Sequence, residues 1–247
     1  MRPFLKVLLL APRLAGGETV ADTLYDLNPF AEDEVILPGE RRAVGSAADP
    51  VLAVSNTTIS IPGPSGAIDW PQPGGNAANN PGHVSLSGQQ VWSAQAGVVT
   101  GNRRVRMAAL PVVAGGRAFI YDPNGNVTAV GLSGGGQSWR RALRPEDEDG
   151  QVGAGGVAFS GGRVYAATGF GQLFALDAAS GQTAWAIDLD TPALSAPTVA
   201  NGLVYVITQS NTLLALDAND GTERWRFRGV PATAGLLGSG TPAVSGD

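Results

Sequence analysis

The sequence predicts an all-β fold: a β-propeller of four-stranded antiparallel blades, incomplete here, with about three blades and part of a fourth. Two landmarks recurring at one period, short β-branched runs between turns, and the absence of helical periodicity predict it. The first landmark is a tryptophan with a glycine four positions before it and an alanine ten before it. It occurs as Ala129, Gly135 and Trp139, as Ala175, Gly181 and Trp185, and as Ala215, Gly221 and Trp225. The second is a two-residue turn followed by an aromatic residue: Gly115-Gly116 before Phe119, Gly161-Gly162 before Tyr165, and Asn201-Gly202 before Tyr205. Both landmarks shift by 46 residues from the first copy to the second and by 40 from the second to the third. A period near 40 made of short strands is that of a propeller blade.

Within the third copy the strands fall at about 197–200, 203–208, 212–216 and 223–228. Asn201-Gly202 is a hairpin signal of the type that needs positive φ at both positions. Residues 209–211 and 218–221 supply the next two turns. The apolar, β-branched run at 204–207 suits a sheet buried on both faces between neighbouring blades. Gly135, Gly181 and Gly221 permit the tight turn between the last two strands. Asp177 and Asp217 are placed to hydrogen-bond that turn's backbone, while the first copy carries Gly131 instead. Trp139, Trp185 and Trp225 open the outer strands, where a flat ring wedges between blades and buries on the order of 200 Å². These residues read as structural.

The blades are expected at about 108–143, 157–189 and 197–228, inside a propeller region of 81–247. Trp92 has its own Gly88 but no complete blade before it, so about 84–95 reads as a lone outer strand. Residues 242–247 match the opening of a further blade, and the chain is expected to be a piece of a longer protein. Residues 18–80 read as a partly irregular extension lying against the larger body. It contains short strands at 51–54 and 57–61 and a turn-rich stretch, Trp70-Pro71-Gln72-Pro73-Gly74-Gly75-Asn76. Residues 1–17 carry Arg2 and Lys6 before an apolar run that Pro12 and Arg13 end early. They read either as a degenerate export signal or as an ordinary N-terminal segment. No stretch approaches the ~20 apolar residues of a membrane helix.

Composition agrees with many turns and short strands: 35 glycines and 17 prolines in 247 residues. With 16 basic against 21 acidic residues the formal charge is −5, and no basic stripe offers a footprint for nucleic acid. No cysteine is present, which removes disulfides, thiolate nucleophiles and cysteine metal sites. His83 is the only histidine and stands in a turn-like stretch with no Gly-x-Ser-x-Gly elbow in the chain, so no catalytic residue is assigned. No metal or cofactor site is assigned either. Asp122, Asn124 and Asn126 alternate as in a calcium loop, yet the glycine falls at position 4 and Ser133 occupies the last ligand position. A hairpin turn at Asn124-Gly125 is the alternative. The run Glu146-Asp147-Glu148-Asp149 lies in a connecting loop, where it faces either water or a partner.

The repeat Ala-x-Asp-x-x-(Thr/Ser)-Gly-x-x-x-Trp resembles the tryptophan-docking motif of quinoprotein-type (PQQ-like) propellers. Together with Leu37-Pro38-Gly39-Glu40-Arg41, the stretch at 70–76 and Ala234-Gly235-Leu236-Leu237-Gly238, it makes residues 35–247 similar to the BamB family of outer-membrane β-barrel assembly factors. Membership implies an eight-bladed ring, periplasmic and associated with the outer membrane. It implies a non-catalytic scaffold that binds a BamA-type partner and unfolded barrel proteins, with no quinone. Such lipoproteins carry a lipobox ending in cysteine; Gly17 stands there in Leu14-Ala15-Gly16-Gly17, so no lipid attaches at that position. Membrane association would then run through a partner or a lost anchor. The resemblance places the partner surface on loops entering successive blades, with Leu194 in 191–196 and Ser239 in 236–240; ordinary connecting loops are the alternative. A quinone-dependent dehydrogenase on the same fold is the alternative function, although the vicinal cysteine pair common in those enzymes is missing. A ligand-binding or sensor propeller is a third.

Overall fold

The computed structural model describes residues 60–66, 69–85, 88–97, 109–230 and 240–246, all within one compact unit, Ser60–Asp247. The N-terminal segment at 1–17, most of the extension, the expected strand at 51–54 and Ser239 lie outside the described residues. Twelve strands form among the described residues, and no helix. They fold into three four-stranded sheets, each built in simple sequence order. The first contains β1 (Val112–Ala114), β2 (Arg117–Tyr121), β3 (Asn126–Gly131) and β4 (Gln137–Ala142). The second contains β5 (Gly155–Ser160), β6 (Arg163–Thr168), β7 (Gln172–Asp177) and β8 (Thr183–Asp188). The third contains β9 (Thr198–Ala200), β10 (Leu203–Ile207), β11 (Thr212–Asp217) and β12 (Glu223–Arg228). The fold is an incomplete β-propeller of antiparallel blades.

The turns follow from local chemistry. Asn201 and Gly202 take φ of 51° and 76°, the pair of positive values that a two-residue hairpin between right-twisted strands requires. Packing between sheets uses period-2 alternation with apolar residues on both faces. On β6, Val164 and Ala166 pack back onto the first sheet in a cluster with Val112, Phe119 and Val127. Tyr165 and Ala167 of the same strand pack forward with Val199, Val204, Val206 and Leu214 of the third sheet. Two interblade cores result, and β6 contributes to both.

One row of residues recurs in every sheet. Phe119 pairs with Ala129 and Ala129 with Trp139; Tyr165 pairs with Ala175 and Ala175 with Trp185; Tyr205 pairs with Ala215 and Ala215 with Trp225. Directly opposed residues in an antiparallel pair share a face. The alanine is short enough for the two rings to meet across it, at centroid distances of 5.9, 6.0 and 5.9 Å. A bulge follows the alanine in each sheet, between Ala129 and Val130, Ala175 and Leu176, and Ala215 and Leu216.

The stretch at 84–95 forms no ladder among its described residues. Val84 makes a single parallel bridge to Ser65, and residues 88–96 are irregular. The turn-rich stretch at 70–76 lies along the inner strands: Trp70 exchanges both backbone hydrogen bonds with Val113 of β1.

Candidate partner-binding site

The joints between blades set the geometry of the site. The indole Nε1 of Trp139 donates to the Ala178 carbonyl of the next repeat at 3.0 Å, and Trp185 Nε1 donates to Ala218 at 3.2 Å. Trp92 completes the series from the N-terminal side, donating to Leu132 at 2.7 Å. Each ring lies over a glycine of the repeat it joins. A Cβ on Gly181 would stand 2.7 Å from the Trp139 ring, one on Gly221 2.9 Å from Trp185, and one on Gly135 2.9 Å from Trp92. The glycine of the repeat therefore does more than permit its own turn: it is a socket for the preceding tryptophan. The constant 20-residue gap from Phe119, Tyr165 or Tyr205 to the tryptophan is the sequence signal for the ring pair; the role of the alanine between them, and the direction of docking, went unread.

Asp177 Oδ1 accepts from the Ala179 and Ser180 amides at 3.1 and 2.8 Å and from Ser180 Oγ at 2.7 Å. Asp217 Oδ1 accepts from Asn219 N at 2.8 Å, and its Oδ2 pairs with Arg224 at 2.7 Å. The Ser180 bonds hold the Asp177 carboxyl below its ordinary value, and Arg224 does the same for Asp217. In the first repeat Gly131 keeps only the backbone bonds, from Gly135 N to Gly131 O and from Gly131 N to Gly136 O, both at 2.9 Å. Tyr165 donates to Ala218 O at 3.0 Å, and burial is the main cause of its raised pKa.

The loop carrying Leu194 is fastened at several points. Leu194 N donates to Ile207 O at 3.0 Å, Gln209 N to Pro192 O at 2.8 Å, and Ala193 bridges Thr208. Thr191 Oγ1 donates to Ser210 Oγ and accepts from Ser210 N, both at 3.2 Å. At the loop's entrance Asp190 pairs with Arg226 at 2.7 Å, and Arg226 also pairs with Glu223. Ala193, Ser195 and Ala196 are buried, which leaves the half-buried Pro192 and Leu194 as the apolar side chains the loop presents. The other expected partner residue, Ser239 of the loop at 236–240, lies outside the described residues.

The remaining chemical candidates resolve into local structure. His83 is exposed, with Nδ1 3.0 Å from the Pro62 carbonyl. Asp122 is buried; its Oδ1 accepts from the Asn124 and Asn126 amides, and Asn126 Nδ2 donates to both carboxylate oxygens. Arg140 adds an ion pair at 3.2 Å. The aspartate thus organises the turn from Asp122 to Gly125, and its oxygens are engaged by donors where a calcium loop would aim them at an ion. Residues 146–149 are exposed. Among the described residues no group of three or more His, Cys, Asp and Glu side chains converges as for a metal, and no helix is long and apolar enough to cross a membrane.

Three sheets with these docking joints define a propeller of PQQ-like repeats. Comparison with known proteins sharpens that class. The family model described as outer membrane protein assembly factor BamB matches residues 82–153 and 124–247, more than half of the sequence, and the chain belongs to that family. The outer membrane protein assembly factor BamB of Yersinia pestis is 30% identical over 165 residues, which is 65% of this chain and 42% of that protein. Its counterpart in Moranella endobia (strain PCIT) is 27% identical over 121 residues, 47% of this chain and 31% of that one. The chain therefore spans less than half the length of these curated relatives. Among solved structures, the quinohemoprotein alcohol dehydrogenase of Comamonas testosteroni superposes with a TM-score of 0.54 at 24% identity, over 66% of this chain and 27% of that one. That likeness concerns the fold.

Proposed function

We propose that the chain is a non-catalytic scaffold subunit that assists assembly and insertion of β-barrel proteins into the outer membrane by binding a BamA-type partner. Membership of the assembly-factor family across residues 82–247 is the observation that carries this reading. The loop around Leu194 supplies a surface suited to it: pinned to the end of β10 and presenting Pro192 and Leu194 on a hydrogen-bonded frame, it loses little entropy on contact. Ser239 joins it as the second contact. On this reading the protein works in the periplasm, associated with the outer membrane through its partner or a lost lipid anchor. The propeller blades are the portions at about 108–143, 157–189 and 197–228, with 242–247 opening the next.

The test is a pull-down of the full-length protein, expressed from its native locus, from detergent-solubilised envelope. A barrel-assembly protein of the BamA type co-purifies, and Leu194→Asp cuts its recovery about tenfold, as expected when a charge must be desolvated at a contact. Recovery of no such protein, together with quinone-dependent alcohol or sugar oxidation in the same sample, sinks the scaffold reading.

A further inference from the structure

Innermost strands of a sheet leave one edge of backbone groups unpaired, and buried edges need partners. Here β1, β5 and β9 pair on one side only, with β2, β6 and β10. One equivalent amide on their other edge is satisfied in each repeat. Val113, Phe159 and Val199 occupy the same register, separated by the same 46 and 40 residues as the landmarks, and Val244 holds that place in the Pro-x-Val opening at 242–244. Val113 N donates to Trp70 O at 2.8 Å, Phe159 N to Pro71 O at 2.7 Å, Val199 N to Gln72 Oε1 at 3.2 Å, and Val244 N to Ala77 O at 2.8 Å. Three consecutive residues, Trp70, Pro71 and Gln72, therefore hold three consecutive repeats, and Ala77 of the same short segment holds the next. We infer that residues 70–77 are an axial strap, a peptide bound in cis to the inner edges of four successive repeats, which fixes their register relative to one another.

The residue types suit that task. Pro71 has no N–H to leave unpaired and makes only the accepting contact. Gln72 is 5% exposed, and its amide both donates to Val199 O at 2.8 Å and accepts from Val199 N, so one side chain replaces a backbone pair. Trp70 Nε1 bonds Pro73 O at 3.1 Å and starts the turn that carries the chain on to Ala77. Gly75 has φ of 87°, and a Cβ there would stand 2.7 Å from Pro81. Asn76 Oδ1 accepts from Ala78 N and Asn80 N, and Asn79 Nδ2 reaches Thr241 O at 3.1 Å. The last of these ties the strap to the opening of the fourth repeat a second time.

Amide hydrogen exchange of the full 247-residue chain, read residue by residue by NMR, tests the inference. In Gln72→Ala the Val199 amide exchanges about tenfold faster or more, while Val113 and Phe159, held by backbone carbonyls, change less than about twofold. Asn79→Gly keeps the positive φ of an exposed position and serves if Gln72→Ala does not fold. It speeds Val244 about fivefold and leaves Val199 unchanged. Unchanged protection of Val199 in the first variant, or of Val244 in the second, overturns the strap. So does an equal acceleration of all four amides, which would make the segment an ordinary contributor to global stability.

Discussion

The forward faces of the second and third sheets carry the same residue pattern in different surroundings. In the second, Tyr165 is 3% exposed and Trp185 sits in the Gly221 socket, covered by the third sheet. In the third, Tyr205, Ala215 and Trp225 repeat the row, and Ile207, Leu213 and Phe227 form the next one, yet Trp225 is 43% and Phe227 65% exposed. The ring pair itself survives, at 5.9 Å against 6.0 Å, so it is a property of each sheet. What the neighbour adds is the socket and the carbonyl acceptor. Sequence can encode both halves of a joint while only the fold decides whether they meet.

The comparison breaks most sharply at the socket. Gly181→Val places a branched side chain at a φ of 72° and against the Trp139 ring, and is expected to cost about 3–4 kcal/mol. Gly202→Ala meets nothing within 4 Å at a φ of 76° and should cost about 1 kcal/mol, the backbone penalty alone. Urea denaturation of the full chain, compared at equal m-values, separates the two. Next in size, Trp185→Ala is expected to lose about 3 kcal/mol and Trp225→Ala about 1 kcal/mol or less by the same assay. Equal losses would mean that the third face is covered in solution as the second is.

The smallest effect concerns the turns. Asp177 and Asp217 have folded-state pKa values below the ordinary 3.8, so their bonds stabilise the fold above that value and the contribution fades as pH falls through the lowered range. The denaturation midpoint should therefore drop on acidification below about pH 4, and Asp217→Asn should flatten that drop. A variant with the same acid dependence as the parent would remove Asp217 from the account. The first repeat, with Gly131 in that place, adds nothing to it.

The fold was legible because its signals recur. A glycine, a tryptophan and an aromatic at constant spacing in three copies outweigh the ambiguity of any single short strand. The observed strands of the third sheet lie within a residue of those read from the sequence. The joint was half legible: the tryptophan announces a contact, but which repeat receives it depends on backbone acceptors, Ala178 and Ala218, whose side chains carry no signal. The strap was least legible. Its contacts cross up to 167 residues and run largely through main-chain atoms, so Gln72 is the one side chain that replaces a backbone pair to a repeat's inner edge, and one buried glutamine in a loop has no period to expose it. Leu194 is visible as a loop residue, and its pinning by Ile207 is not, because that bond is again main chain.

Ring and socket sit on opposite faces of every sheet, and this gives the molecule a direction. A two-fold axis would bring like against like, setting Trp225 against Trp225 with no carbonyl or glycine to receive either indole. Any association that used this chemistry between copies must be head to tail, an interface without self-complementarity. The socket at Gly135 is already filled from within by Trp92. Among the described glycines, none lies against the Trp225 ring.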